Sequence, residues 1–224
     1  MSYTFFCCGA SIGVFFEYSD YIKFIKNEGH YNKIPFPAIR SIRYIIFAAA
    51  FAFINKYLEQ WYFDEFVLTA DFAKMSILNQ YKWFLVYNIC FRSFYYVAFQ
   101  LQEGALLSSG FGYNGKDEKG NNRWDTVTSC NIVGVETTTS AIAVMQNWNH
   151  QVHVWLKYYV QHRLVQVGEH PTNMATFLTF MTSALWHGIY PMYFACFFYI
   201  FVLCEISKDF FKAGDKFAKV IPIK

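Results

Sequence analysis

The chain has 224 residues, of which 55% are hydrophobic, 22% aromatic and 16% charged. This composition is too apolar for a disordered protein and unusual for a soluble domain. The net charge of +3 comes from Lys and Arg residues scattered along the chain, without the concentrated basic patch of a nucleic-acid binder. We therefore expect a single membrane-embedded domain over residues 1–224, with the lipid bilayer as a partner and no nucleic acid.

The cysteines contain no C-x-x-C pair, and most of them lie inside apolar runs. We predict buried free thiols rather than a disulfide framework or a zinc site. The first residues lack the basic segment of a signal peptide, so none is expected. The six cysteines are Cys7, Cys8, Cys90, Cys130, Cys196 and Cys204.

Residues 1–35 predict an interfacial segment, with a short amphipathic helix over 16–24. Residues 36–107 predict membrane and interfacial helices. The first is a membrane helix over 42–57, and two further helices are expected at 63–78 and 81–102. The 63–78 segment carries four charged residues, so we expect it to be interfacial or packed inside protein.

Residues 108–125 are rich in Gly, Asn and charge, which indicates a solvent-facing loop. Residues 126–205 predict helices that carry the candidate catalytic side chains. Within them the apolar run 174–205 exceeds one bilayer crossing, and Gly188 and Pro191 predict a break into two helices with His187 near the joint. Residues 206–224 form a basic amphipathic tail on the cytosolic or matrix side. The expected fold is all-α, a multi-pass membrane helical bundle with interfacial amphipathic helices.

His187 is the most informative side chain, because an ionisable group within an apolar membrane run is a functional-site hypothesis by default. An imidazole is also the usual general base for a hydroxyl nucleophile. The alternative is a structural histidine, hydrogen-bonded to a backbone carbonyl that Pro191 frees.

Asn149 lies between Trp148 and Trp155 in a segment whose apolar residues recur at helical spacing. A buried carboxamide can donate to a developing oxyanion or hold a substrate carbonyl. An ordinary polar helix contact is the alternative, and the spacing alone does not choose between them.

Two weaker signals indicate no site. Residues 110–115 match G-x-G-x-x-G, but the string lacks the preceding strand and following helix of a dinucleotide fingerprint. His150, His153 and His162 are spaced to share a helical face, but no carboxylate or cysteine completes a ligand set. We expect no metal site.

Four segments in order resemble the motifs of the membrane-bound O-acyltransferases, in particular the lysophospholipid acyltransferase branch. GVFFEYSDYIKFI at 13–25 resembles the family's Glu-Tyr-x-Asp-Tyr segment, and SGFGYNGKDEKGNNRWD at 109–125 resembles its glycine loop with a Trp-Asp motif. NWNHQVHVWLKYYVQHR at 147–163 resembles the segment of its catalytic Asn, and SALWHGIYPMY at 183–193 that of its catalytic His.

The resemblance implies that His187 is the general base and Asn149 its partner. FRSFYYVAF at 91–99 resembles an Arg-x-Lys-Tyr-Tyr-x-x-Trp motif, with Phe94 and Phe99 in place of Lys and Trp. Met192 stands where the family has Gly, which adds bulk beside the substrate channel. The implied substrate-binding residues are Trp124, Asp125, Arg92, Tyr95, Tyr96, Trp186 and Tyr193.

The implied activity is transfer of a fatty acyl group from acyl-CoA, as co-substrate, to the hydroxyl of a lysophospholipid, without a cofactor. The chain resembles the C-terminal half of a family member, so a separate chain or a larger membrane complex is an expected partner. The endoplasmic reticulum is the favoured membrane and the mitochondrial inner membrane the alternative. The rival function is an inactive structural or lipid-binding subunit, and a transporter subunit ranks last.

Overall fold

The computed structural model describes residues 3, 4, 6 and 15–220, apart from the side chains of Ala38 and residues 215–220. This part of the chain is all-α, as predicted, and contains no strand beyond one isolated bridge. Short 3-10 segments lie at Gly29–Lys33, Asp64–Leu68 and Gln161–Arg163. The α-helices are α1 Tyr18–Ile25, α2 Ala38–Glu59, α3 Ala70–Lys74, α4 Ile77–Ser109, α5 Ile132–Thr137, α6 Ala141–Asn147, α7 His150–Tyr159, α8 Asn173–His187 and α9 Pro191–Val220.

The chain divides into two compact units, Met1–Ser129 and Cys130–Lys224. The boundary follows the polar segment that the sequence marks as a break between membrane elements. The single domain over residues 1–224 stays a prediction, and each unit is described by itself.

Helices α2 and α4 pack antiparallel along the length of α2 in the first unit. Asn55 donates from Nδ2 to the carbonyl of Cys90 at 3.0 Å, and Gly104 lets the backbones approach because a Cβ there would lie 3.2 Å from Tyr44 Cβ. Phe51 packs on Tyr96 between these points. These contacts, spread along both helices, fix their register.

The 42–57 helix prediction is confirmed, because α2 is a helix of 22 residues, about 33 Å long. The stretch Ile39–Leu68 is, within the described residues, the one that is long and apolar enough to cross a bilayer, and only 11% of its apolar window is buried. Bulky side chains such as Ile42, Ile46 and Phe53 are exposed along it.

The helix predicted over 63–78 was wrong. The segment forms the 3-10 turn Asp64–Leu68 and the short α3, and then α4 begins. Thr69 accepts a hydrogen bond from the Phe72 N–H and Ser76 accepts one from the Asn79 N–H, so each caps a new helix. The helix predicted over 81–102 is confirmed within the 33-residue α4.

The prediction of a solvent-facing loop over 108–125 was partly wrong. Residues 110–113 are buried, with Phe111 0% and Tyr113 4% exposed, whereas residues 108–109 and 116–123 are exposed. Phe111 packs against Phe16 at 5.0 Å between ring centroids, and the Tyr31 hydroxyl donates to its carbonyl at 3.1 Å. The start of the loop therefore completes a core with residues near the N-terminus.

The predicted break in the run 174–205 is confirmed, because α8 ends at His187 and α9 begins at Pro191. The two helices pack back on each other through Phe177 and Phe201, whose ring centroids lie 5.6 Å apart. The basic tail continues α9 as far as Val220, and residues 221–224 lie outside the described residues.

The buried-thiol prediction holds for three cysteines and was wrong for Cys196, which is exposed on α9. The buried ones are Cys90, Cys130 and Cys204, and Cys7 and Cys8 lie outside the described residues.

Candidate active site

His187 is the last residue of α8, and its two ring nitrogens differ in environment. Nδ1 lies 2.7 Å from the carbonyl oxygen of Ser183, one turn earlier in the same helix. A carbonyl only accepts hydrogen bonds, so Nδ1 is assigned the proton and the lone pair of the neutral ring is on Nε2. Nε2 makes no hydrogen bond to the part of the chain that is described. The ring is thus held in the tautomer that a general base needs.

Three aromatic rings lie close to this imidazole, which is itself exposed. Its centroid lies 4.7 Å from the Trp186 ring, 4.8 Å from Phe197 and 6.0 Å from Tyr193. The structure therefore places Trp186 and Tyr193 beside His187, and substrate binding by these two residues stays a prediction. Phe197 was missed, although it is four residues after Tyr193 and hence on the same face of α9.

Gly188 fixes the turn after His187. Its φ is +142°, and a Cβ built on it would lie 3.2 Å from Cε2 of Tyr193. The sharp exit lets Pro191 begin α9, where its missing N–H costs nothing. A side chain at this position would displace Tyr193 from the imidazole.

Asn149 adopts the left-handed conformation, with φ 45° and ψ 53°, immediately before α7. Asn tolerates this region better than most residues, and Asn27 is the other non-glycine residue with positive φ in the described part. The Asn149 side chain is half-buried and does not cap α7. Helix α7 packs against α8, but no hydrogen bond joins Asn149 to His187 within the described residues.

The backbone segment just before Asn149 is held in place by a close contact that no sequence pattern predicted. The Asn131 N–H donates to the carbonyl of Asn147 at 3.0 Å, and Asn131 Oδ1 accepts from the Gly134 N–H at 3.1 Å. A Cβ on Gly134 would lie 2.8 Å from Asn131 Nδ2 and closer still to the Asn147 amide. A glycine flanked by asparagines at such spacing gives no recognisable motif, so only the fold reveals it.

Trp124 and Asp125 belong to the first unit and follow a turn, residues 114–123, that contains the isolated antiparallel bridge and that we call the polar hairpin. The Asn114 N–H donates to the Arg123 carbonyl at 3.0 Å, and the Arg123 N–H donates to the Gly115 carbonyl at 2.8 Å. Trp124 packs on Tyr113, with 5.2 Å between ring centroids. The motif therefore closes the base of the hairpin.

Both oxygens of the Asp125 carboxylate accept hydrogen bonds that hold the two ends of the hairpin together. It accepts hydrogen bonds from Asn114 Nδ2 at 2.8 Å and from Arg123 Nη2 at 3.0 Å. Partial burial alone would raise the pKa of Asp125, but these hydrogen bonds and the Arg123 charge lower it overall. Asp125 thus supports the hairpin, and substrate contact by Trp124 and Asp125 stays a prediction.

Arg92, Tyr95 and Tyr96 lie together on α4. Tyr96 is 2% exposed and packs on Phe51 of α2 at 5.1 Å, whereas Tyr95 is 37% exposed and Arg92 half-buried. Substrate binding by these three residues stays a prediction. They belong to the unit that contains Trp124, and His187 and Asn149 belong to the other.

No group of three or more His, Cys, Asp or Glu side chains is arranged for metal binding among the described residues. The His150 ring is engaged instead by a backbone carbonyl, since its Nδ1 lies 2.9 Å from the oxygen of Gln146.

A family model described as the membrane-bound O-acyltransferase family matches residues 1–214 of the chain. The chain belongs to this family. Lysophospholipid acyltransferase 1 of Arabidopsis thaliana is 30% identical over 84% of this chain and 42% of the relative. Lysophospholipid acyltransferase of Saccharomyces cerevisiae is 28% identical over 88% of this chain and 35% of the relative.

A shorter match has higher identity. Membrane-bound glycerophospholipid O-acyltransferase 1 of Mus musculus is 43% identical over 46% of this chain and 20% of the relative. The chain thus spans less than half the length of each of these relatives. The family resemblance drawn from the four motifs is confirmed, and so is the membrane-bound character of the chain.

Proposed function

We propose that the chain carries the acyl-transfer centre of a lysophospholipid acyltransferase, which moves a fatty acyl group from acyl-CoA to a lysophospholipid hydroxyl. One observation carries the proposal: His187, at a helix end beside aromatic rings, has Nδ1 bonded to the Ser183 carbonyl and Nε2 without a hydrogen-bond partner among the described residues. Relatives named lysophospholipid acyltransferase support the substrate class.

In the proposed reaction Nε2 of His187 takes the proton from the acceptor hydroxyl as that oxygen attacks the thioester carbonyl. The new ester C–O bond forms and the C–S bond breaks. The departing CoA thiolate takes the proton from the imidazolium, which restores neutral His187. This balance requires neither a metal ion nor a cofactor.

The Asn149 carboxamide has donors to stabilise the oxyanion or to orient the acceptor. Its side chain is not used as a helix cap, which leaves those donors for substrate. The rings of Trp186, Phe197 and Tyr193 lie beside an imidazole that is exposed, so exclusion of water from the thioester requires further cover from the bilayer or from additional membrane segments.

We further propose that additional membrane segments complete the enzyme into a multi-pass bundle. They belong to the same protein or to a separate chain in a larger complex. The endoplasmic reticulum is the favoured site, and the mitochondrial inner membrane is the alternative.

The test measures acyl transfer by the detergent-purified protein with whatever co-purifies, using labelled oleoyl-CoA and a panel of lysophospholipids. We expect His187→Ala to lower turnover by about 10² to 10⁴. His162→Ala is the matched control, because His162 is exposed in the 3-10 segment after α7 and its loss leaves turnover unchanged.

Equal turnover in His187→Ala and the unaltered chain would overturn the assignment of the base. No transfer from any sample, with other membrane proteins co-purifying, would instead support an inactive structural or lipid-binding subunit.

A further inference from the structure

The first unit contains an open surface cavity of about 860 Å³ between the 3-10 segment Gly29–Lys33 and the polar hairpin. The proposed reaction assigns it no role. Its polar lining residues are His30, Asn32, Lys33, Tyr113, Lys116 and Asn122.

The hairpin supplies one wall of this cavity. Lys116 and Asn122 form the isolated antiparallel bridge, and side chains directly opposite each other in such a pair project from the same face. Gly115 has a φ of +73°, and a Cβ there would lie 3.5 Å from His30 Cβ, so glycine allows the close approach. The bridge thus aims an ammonium and an amide into one space.

The charge balance of the cavity is positive. Lys33 and Lys116 form no ion pair within the described residues. The carboxylate of Asp117, which follows Lys116 in the chain, is engaged by the Lys119 N–H and by the backbone and side-chain N–H groups of Asn121. Two unpaired ammonium groups with adjacent amides are typical donors for a phosphate group.

His30 adds a polar atom that the fold does not satisfy. Its Nε2 is buried without a hydrogen-bond partner, while its ring packs against Tyr31 with 4.1 Å between centroids. A buried unsatisfied polar atom is costly and calls for an explanation. With the neutral ring's proton on Nε2, a phosphate oxygen in the cavity that His30 lines would supply the missing partner.

We propose that this cavity binds a phosphate group of a substrate through Lys33, Lys116 and His30. This inference rests on the proposed function, because that reaction brings two phosphate-bearing molecules to the protein. One source is the nucleotide part of acyl-CoA and the other is the phosphodiester of the lysophospholipid. The shared chemistry is recognition of phosphate oxygens by ammonium, imidazole and amide donors.

The test measures equilibrium binding of two probes to the full purified chain. Adenosine 3′,5′-bisphosphate carries the nucleotide phosphates without an acyl chain, and glycerophosphocholine carries the lipid phosphodiester. We expect Lys33→Gln and Lys116→Gln each to weaken one probe by about tenfold. Lys119→Gln is the matched control, since Lys119 is exposed in the same hairpin and does not line the cavity.

The probe that loses affinity identifies the phosphate source. Unchanged affinity for both probes in Lys33→Gln and Lys116→Gln, or no binding by the unaltered chain, would overturn the inference. Binding requires no turnover, so the two proposals fail separately. If His187→Ala abolishes acyl transfer but the lysine variants bind both probes normally, only the phosphate-binding proposal is refuted. If probe binding depends on the lysines but the unaltered chain transfers no acyl group, only the acyl-transfer proposal is refuted.

Discussion

The polar hairpin and the turn at His187 both carry motif residues, but their polar side chains are used in different ways. In the hairpin, both oxygens of Asp125 are engaged by Asn114 and Arg123. At the other site, only one ring nitrogen of His187 is hydrogen-bonded within the described residues, and the Asn149 carboxamide does not cap helix α7. Satisfied side chains hold a shape, whereas side chains with unused donors or acceptors have capacity left for substrate.

The largest effect is expected from Asn149→Gly, which tests whether the Asn149 carboxamide acts on substrate. Glycine adopts the left-handed conformation without strain, so the variant keeps the backbone before α7 and removes only the carboxamide. We expect turnover to fall by about 10² or more, as for loss of one oxyanion donor, with an unchanged thermal midpoint. Acyl-transfer kinetics and thermal unfolding measure the two quantities.

Asn27→Gly is the control for that experiment, because Asn27 has the same backbone region with φ 54°. It should alter neither turnover nor stability. If Asn149→Gly retained full turnover, Asn149 would be a backbone residue only and the contrast with the hairpin would disappear.

A smaller effect is expected from Gly134→Ala, which tests whether turnover depends on the position of the backbone segment before Asn149. The added methyl collides with the Asn147 amide, and overpacking of this kind costs about 1–3 kcal/mol. We expect a lower thermal midpoint and a lower kcat with little change in KM, because Asn149 is displaced relative to His187.

Gly214→Ala provides the matched control, since nothing lies within 4 Å of a Cβ at that position. A Gly134→Ala protein that loses stability but keeps its kcat would show that the contact has no bearing on Asn149.

The smallest effect is expected from Asp125→Asn, which removes the carboxylate charge from the hydrogen-bonded network of the polar hairpin. The folded-state pKa of Asp125 is lowered, so its stabilisation is present above the ordinary carboxyl pKa and is lost as the pH falls through the lowered value. We expect hydrogen-exchange protection of the Arg123 amide, normalised for intrinsic exchange, to be equal at pH 7 and pH 5.

Asp125→Asn should reduce that protection severalfold at both pH values, because it loses an exposed ion pair worth about 1 kcal/mol or less. Asp209→Asn removes a comparable exposed pair with Lys212, in α9, and should leave the hairpin amide unchanged. Protection that is insensitive to Asp125→Asn would show that the backbone bonds alone hold the hairpin.

Local signals in the sequence were enough to predict several elements. The break at Gly188 and Pro191 follows from backbone rules, and the apolar run of α2 follows from its composition. The segment 63–78 was predicted wrongly because its apolar residues alone indicate one continuous helix. In the structure, Thr69 and Ser76 each cap the start of a new helix within it.

Burial of Phe111 and the support of Asn147 by Gly134 depend on residues distant in the sequence, which no local pattern reveals. The tautomer of His187 likewise depends on one backbone oxygen in the folded chain. Motif resemblance points to His187, but only the folded geometry indicates which nitrogen carries the lone pair.

The place of His187 at the end of α8 has an electrostatic consequence. The carbonyl groups at the C-terminus of a helix carry a net partial negative charge, and a cation there is stabilised by about 0.3–1 kcal/mol. When Nε2 accepts the proton in the proposed reaction, the imidazolium forms against this negative end, with the Ser183 carbonyl at Nδ1. The helix end thus supplies, on a smaller scale, the orientation and the negative charge that a carboxylate supplies beside the histidine of a catalytic triad.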